Sequence, residues 1–247
     1  SWFEDGYNKK NTMVLKTTYK DNKFLPKEYI NSLNDMKEKD PVYYRIYALG
    51  EFATLDKLIY DNWQEIEFDW RELLEENECL RALFGLDFGY VNDPSAFIAI
   101  LVNEKDKEIY VFDEFYKKGL LNDAIAEEII KMGYHKEVIT ADSAEQKSIE
   151  EIRRNGVSRI RPARKGKDSI LNGIQLIRQY TLYVHPKCEN TIEELKNYCW
   201  QKDKTTKEYI NKPIDAFNHA LDALRYACEN LLKRNKLKSF KASKLGL

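Results

Sequence analysis

RALFGLDFGYVNDPSAFIAILVNEKDKEIYVFDEF, residues 81–115, decides the fold class. Three runs inside it, 81–87, 95–102 and 108–115, are rich in β-branched and aromatic side chains, and the turn-like GYVNDP and NEKDK separate them. Strands joined by connections this short pair as antiparallel neighbours, so the stretch predicts a three-stranded meander. Asp87 closes its first strand.

Downstream the periodicity changes. NDAIAEEIIKM (122–132) has helical spacing and closes at Gly133, and EVITA (137–141) returns as a short buried strand with Asp142 at its end. Ser143 followed three residues later by Gln146 predicts a capping box opening a helix that Gly156 ends. VSRIR (157–161) reads as a fifth strand, Asp168 as the cap of the helix SILNGIQLIRQ, and TLYV (181–184) as a further strand. A helix near 189–197, a hairpin YCWQKDKTTKEYI with Trp200 and Tyr209 as its aromatic pair, and a closing helix complete the order. Three strands followed by helix, strand, helix, strand and helix resemble the RNase H-like fold, an α/β architecture with a mixed β-sheet flanked by helices. Right-handed crossovers then lay the fourth strand parallel to the first and beside it, so that Asp87 faces Asp142.

The closing helix, DAFNHALDALRYA (215–227), carries polar side chains where a packing helix has no use for them. Successive helical residues turn by roughly 100°, so Asp215, His219 and Asp222 share one face, while Leu221, Leu224 and Cys228 take the core side. Asp215 follows Pro213 and Ile214 at the helix start, which favours an N-cap role over ligation. Asp222 lies among small apolar residues, where a buried, unpaired carboxylate is costly. Asp87, Asp142 and Asp222 therefore converge from distant parts of the chain on one spot, which suits a divalent cation. Mg²⁺ and Mn²⁺ take hard oxygen ligands, and two such ions about 3.5–4 Å apart serve phosphodiester hydrolysis. Asp87 suits the shared position, with Asp142 and Asp222 on its flanks. His219 reads as ligand, proton shuttle or orienter.

The remaining chain is read from composition and charge. With 247 residues, 43% hydrophobic, the sequence has material for one good core, or a core and a smaller lobe. No apolar run approaches the roughly 18 residues of a membrane span, and no secretory leader opens the chain, which points away from membranes and export. The chain opens at Ser1 in what reads as mid-domain sequence, the mark of a piece of a longer polypeptide. Four cysteines without CxxC spacing predict reduced thiols and no structural zinc. Residues 1–79 read as a mainly helical connector, 80–234 as the α/β domain and 235–247 as a flexible basic tail. Net charge is only −1, yet acids crowd Asp61–Glu78 while bases dominate from Arg153 to Lys167 and again from Lys233. Lys165 and Lys167 flank Gly166 in a loop after the fifth strand that, with Arg164, is suited to grip phosphate.

FGLDFGYVNDPSAF, TADSAEQKSIEEIRRNG, KGKDSILNGI and NHALDALRYA, in this order, resemble the nuclease domain of the large terminase subunit of tailed bacteriophages. Upstream, TTYKDNKFLP, YRIYALGEF and IYDNW are similar to the segment that joins the ATPase motor of that family to its nuclease. The resemblance implies metal-dependent cutting of concatemeric viral double-stranded DNA in the cytoplasm of an infected bacterium. Asp87, Asp142 and Asp222 become the ligands of two Mg²⁺ or Mn²⁺ ions, and His219 an accessory catalytic residue. It also implies, for the full-length protein, the motor domain, the portal and the small terminase subunit as partners, with the isolated domain monomeric. Two departures stand out. No G-x-x-x-x-G-K-[ST] occurs, so ATP hydrolysis is not expected of this piece, and Gln146 replaces an expected proline. A non-cleaving docking module, or an RNase H-like resolvase or transposase-type nuclease, are the alternatives.

Overall fold

The computed structural model describes residues 17–27, 29–31, 33, 48, 58–89, 93–164, 166, 168–203, 205–206 and 208–231. The chain divides into two compact units, Ser1–Asp56 and Lys57–Leu247. In the first, Thr18 and Asp21 form a reciprocal capping box around the 3₁₀ turn Tyr19–Asp21. Ile30 N–H bonds the Pro26 carbonyl at 3.1 Å, a helical turn of the kind a proline can open. The basic tail from residue 235 lies outside the described residues, as do Lys165 and Lys167.

The second unit carries strands β1 (Trp63–Glu65), β2 (Leu80–Asp87), β3 (Pro94–Asn103), β4 (Glu108–Lys118), β5 (Ile139–Ala141), β6 (Arg161–Pro162), β7 (Thr181–Val184), β8 (Trp200–Lys202) and β9 (Tyr209–Pro213). Its helices, numbered within the unit, are α1 (Trp70–Glu76), α2 (Asn122–Lys131), α3 (Gln146–Arg154), α4 (Ser169–Ile177), α5 (Glu189–Asn197) and α6 (His219–Ala227). Seven strands make one sheet in the order β1-β7-β4-β3-β2-β5-β6, and β8 and β9 pair separately. The meander β2-β3-β4 is antiparallel, whereas β5 and β6 on one side and β7 and β1 on the other add in parallel. The fourth strand of the sequence reading, β5, does lie parallel to and beside the first, β2.

Strand β3 is buried over its whole length, as a strand covered on both faces must be. Its side chains alternate between two cores. Ile98, Ile100 and Val102 join Ile174, Leu195, Leu221 and Leu224 on the side of α4, α5 and α6. Phe97, Ala99 and Leu101 join Ile125, Ile129, Ile149 and Ile152 on the side of α2 and α3. The sheet is therefore the middle layer of three. Gly133 and Gly156, at φ of 88° and 106°, follow α2 and α3 in the left-handed region that ends helices.

Several expectations give way here. The compact unit begins at Lys57 rather than at residue 80, because Ile59 and Tyr60 are buried in the main core and β1 pairs with β7. Three residues, WQE, hold too little pattern to announce a strand; pairing to β7 makes them one. The fifth strand shrinks to Arg161–Pro162, since Val157 and Ile160 turn into the α2–α3 core instead of extending. The Ser143 capping box does not form: α3 starts at Gln146 with Glu145 at the N-cap position and no side-chain cap bond. Trp200 and Tyr209 do not face one another, for Trp200 aligns with Pro213 and Lys202 with Tyr209.

Helix α6 lies directly on β2, and Gly85 is what allows it. A Cβ on Gly85 would stand 1.9 Å from the Ala223 carbonyl oxygen and 2.9 Å from the Ala227 nitrogen, both backbone atoms that no rotamer can move aside. Gly85→Ala is expected to destabilise the fold by about 3 kcal/mol, the upper end for an overpacked methyl because a helix must shift. Urea denaturation checks this, and an unchanged midpoint would show that α6 sits farther from the sheet.

Candidate functional site

Three aspartates lie in the neighbourhood of the carboxyl ends of β2 and β5, each close enough to influence the others electrostatically. Asp87 is the last residue of β2 and only 8% exposed. Asp142 follows β5 immediately, and its N–H donates to the Leu86 carbonyl at 3.1 Å, extending the ladder until the two aspartates neighbour each other. Asp142 Oδ1 accepts from Ala144 N–H at 3.0 Å, which ties it to its loop. Asp222 arrives from α6, which the Gly85 contact lays over β2.

The electrostatics agree with the convergence. Burial pushes the Asp87 carboxyl up to about 6, and the charges of Asp222 and Asp142 add to that rise, while the His219 hydrogen bond opposes it. Burial likewise raises Asp222, against the pull of Arg225, and Asp142 contributes to the rise. His219 Nδ1 lies 3.0 Å from Asp87 Oδ2. Burial lowers the histidine, but the Asp87 bond and charge outweigh it and its value moves up. The pair thus holds on to a proton as neutral pH is approached.

Asp215 does not belong to this face. Helix α6 begins at His219, because Phe217 takes a left-handed φ of 55° that no helix continues through. Asp215 is exposed on the preceding bend, and the N-cap position belongs to Asn218. It does line a cleft of about 410 Å³ that also borders Asp222, Asn218, Gly166 and Lys212. Arg164 is exposed just beyond β6, its backbone N–H donating to Glu229 Oε1 at 2.8 Å.

The structure adds residues that the sequence reading did not single out. Arg225 donates from Nη2 to Asp222 Oδ1 at 3.0 Å and from Nε at 3.2 Å. Gly173 of α4 seats its stem, since a Cβ there would meet Arg225 Cγ at 2.4 Å. The three-residue spacing from Asp222 is a helix-surface signal that was available. Glu194 of α5 is 2% exposed and accepts the N–H groups of His219 and Leu221, both at 3.0 Å, as well as the Tyr116 hydroxyl at 2.9 Å. No local pattern announces it.

Three carboxylates with hard oxygen donors suit Mg²⁺ or Mn²⁺ in chemistry. Among the described residues, however, no three metal-ligating side chains stand close enough to enclose a cation. Asp222 is occupied by Arg225 and Asp87 by His219. The site is an acidic cluster with its own counter-charges rather than a closed cage.

Comparison with known proteins agrees with this architecture. The family described as "Terminase RNAseH like domain" matches residues 87–230, and "Phage terminase large subunit" matches residues 1–51. The PBSX phage terminase large subunit of Bacillus subtilis (strain 168) is 30% identical over 229 residues, 90% of this chain and 51% of that protein. The terminase large subunit of Bacillus phage SPP1 is 31% identical over 244 residues, 95% of this chain and 57% of that one. The chain thus spans about half the length of the curated relatives it matches. Among solved structures, the nuclease domain of the SPP1 large terminase with bound Mn superposes with a TM-score of 0.64 at 31% identity, covering 69% of this chain and 97% of that domain. The large terminase of a thermophilic bacteriophage shares the fold at 20% identity, with a TM-score of 0.54 over 94% of this chain and 60% of that one.

The raised Asp87 carboxyl has a measurable consequence in the protein held in EDTA. Its value stands above the 3.8 of an unperturbed aspartate, so the folded chain binds the extra proton between pH 3.8 and about 6. Stability contributed by that proton is full at low pH and lost as pH rises through the folded value, and His219 moves in the same direction. Asp87→Asn is expected to exceed the parent chain in stability by on the order of 2 kcal/mol at pH 8. The advantage should close below about pH 4, and urea melts across this range decide it. A constant gap at all pH values would show that Asp87 is not strained by burial.

Proposed function

The chain belongs to the phage terminase large-subunit family, with an RNase H-like nuclease domain at its centre, and we propose that it is a metal-dependent DNA endonuclease. Its substrate is concatemeric double-stranded viral DNA, cut by phosphodiester hydrolysis with little sequence preference. What supports this reading is that Asp87 and Asp142 sit side by side where β2 and β5 end, with the Asp222 carboxylate of α6 near enough to raise Asp87, in a domain whose SPP1 relative was crystallised with bound Mn.

Asp87, Asp142 and Asp222 would hold two divalent cations, Mg²⁺ or Mn²⁺. Such ions supply a water nucleophile at neutral pH and charge stabilisation for the leaving oxygen. The chain's own residues prepare that site. Arg225 keeps the Asp222 carboxylate pointed and partly neutralised, and His219 fixes the free oxygen of Asp87 by binding its partner oxygen. Burial of Asp87 excludes water from its back side. His219, raised by Asp87, would hold a proton at the edge of the site.

Arg164, Lys165 and Lys167 are the proposed phosphate contacts, since the segment carrying them follows β6 next to the end of β5. Contacts of this type position a duplex without reading bases. In the full-length protein the partners are the ATPase motor, the portal and the small terminase subunit, with action in the cytoplasm of the infected cell. Residues 1–56, the unit that precedes the α/β body, would then serve as the link to the motor. No helix among the described residues is long and apolar enough to cross a membrane.

A supercoiled-plasmid time course with Mn²⁺, Mg²⁺ or EDTA tests the reading. The chain is expected to nick and linearise plasmid with either cation and not in EDTA, and Asp142→Asn to abolish cutting while leaving the melting temperature close to that of the parent. No cutting with any cation would sink nuclease activity for this piece and favour the docking-module alternative. In an EDTA binding assay, Arg164→Ala is expected to reduce the slope of log affinity against log salt by about 1, as loss of a single phosphate contact does. An unchanged slope would take Arg164 off the DNA path.

A further inference from the structure

Helix α6 brings Asp222 and His219 to the site, yet nothing in its own sequence caps it. Asn218 holds the N-cap position without making a side-chain cap bond. The cap comes instead from Glu194, 25 and 27 residues upstream of the two amides it binds: Oε1 takes the His219 N–H and Oε2 the Leu221 N–H. Two oxygens on two different amides of one turn define the rotation of that turn as well as satisfy it. The Tyr116 hydroxyl of β4 donates to Oε1, and its ring meets the His219 imidazole edge to face, with centroids 6.3 Å apart.

Glu194 is itself held in place by the same device one step back. Its helix, α5, has no side-chain cap of its own, and Glu114 of β4 accepts the Asn190 and Thr191 N–H groups at 2.8 and 3.0 Å and the Thr191 hydroxyl at 2.6 Å. A line of carboxylates runs from the central sheet to α5 and from α5 to α6. A buried carboxylate is an expensive cap, and an ordinary packing helix would be served by a local Ser, Thr or Asp. What the remote cap adds is orientation relative to β4, the strand two places from Asp87 in the sheet.

We propose that Glu194 is a positioning residue of the nuclease site, orienting the first turn of α6 so that His219 meets Asp87 and Asp222 faces the same point. Glu194 touches neither DNA nor cation in this role. The inference rests on the nuclease reading and adds a residue that the acid cluster does not contain.

The test compares the full chain with Glu194→Gln, Glu194→Ala and Tyr116→Phe. Each is measured for Mn²⁺ affinity by isothermal titration calorimetry, for kcat and KM on plasmid, and for melting temperature. Glu194→Gln keeps one acceptor but turns an amide N–H₂ toward a helix N–H. It is expected to lose about tenfold in Mn²⁺ affinity and kcat with KM for DNA unchanged, the size of effect seen when a ligand's outer partner is removed. Glu194→Ala should lose more and Tyr116→Phe less. Folded variants with parental Mn²⁺ affinity and kcat overturn the proposal, as does a fall in melting temperature alone, which would make Glu194 a stabilising cap only. If the parent chain binds Mn²⁺ and cuts while the variants match it, the positioning role alone fails. If the parent neither binds Mn²⁺ nor cuts, the nuclease reading fails and takes this inference with it.

Discussion

The close approach of α6 to β2 is the constraint on which the site depends. Asp87 and Asp222 are 135 positions apart in sequence, and what joins them is a helix backbone resting on a strand backbone at Gly85. With any side chain at that position the helix would stand off the sheet by the width of a methyl group or more, and Asp222 with it. The same helix buries Leu221, Leu224, Ala227 and Cys228 in the core shared with β3, α4 and α5. Packing and chemistry are therefore properties of opposite faces of one short helix, and neither can be adjusted without the other.

Bringing carboxylates together has an electrostatic cost, visible in the upward shifts of Asp87 and Asp222. The fold offsets it with single, dedicated partners. Arg225 is nearly buried beside Asp222, its stem lying in the space that Gly173 leaves, and His219 faces Asp87. Glu194 adds a further acid, yet it is spent on helix amides and the Tyr116 hydroxyl, donors that a carboxylate accepts better than any neutral group. Burial nevertheless pushes Glu194 up to about 7. Arg225 and His219 take the nearest bonds to Asp222 and Asp87, while the His219 charge also reaches Asp222 and Glu194.

The sequence revealed those parts of the fold whose causes are local. Strands β2, β3 and β4 were legible because long apolar runs bounded by turn residues have few other readings, and β7 and α5 because their patterns are short and clean. Asp87 and Asp142 were legible as acids at strand ends. What escaped depends on distant partners. β1 is a strand only because β7 accepts it, and residues 157–160 leave the extended conformation because the α2–α3 core takes Val157 and Ile160. Pro213 and the acid Asp215 imitate a helix start in sequence, but α6 begins only at His219. The left-handed Phe217 and the remote Glu194 cap set the real one. A cap whose acceptor lies on another helix leaves no trace in a local window.

The proposed reaction needs a route in for a polyanion. A phosphodiester approaching three aspartates is repelled unless cations or basic side chains intervene, and on a chain of net charge −1 that help must be concentrated. The parallel pairing of β5 with β6 would supply part of it: Ala163 N–H bonds the Ala141 carbonyl at 2.7 Å, so Arg164 follows alongside Asp142. The same strand order that gathers the acids at the ends of β2 and β5 thus sets the exposed Arg164 just past the end of the next strand over. Attraction on the flank and repulsion at the centre would make a bound duplex sensitive to salt at the first and to divalent ions at the second, two dependences that separate along one sheet edge.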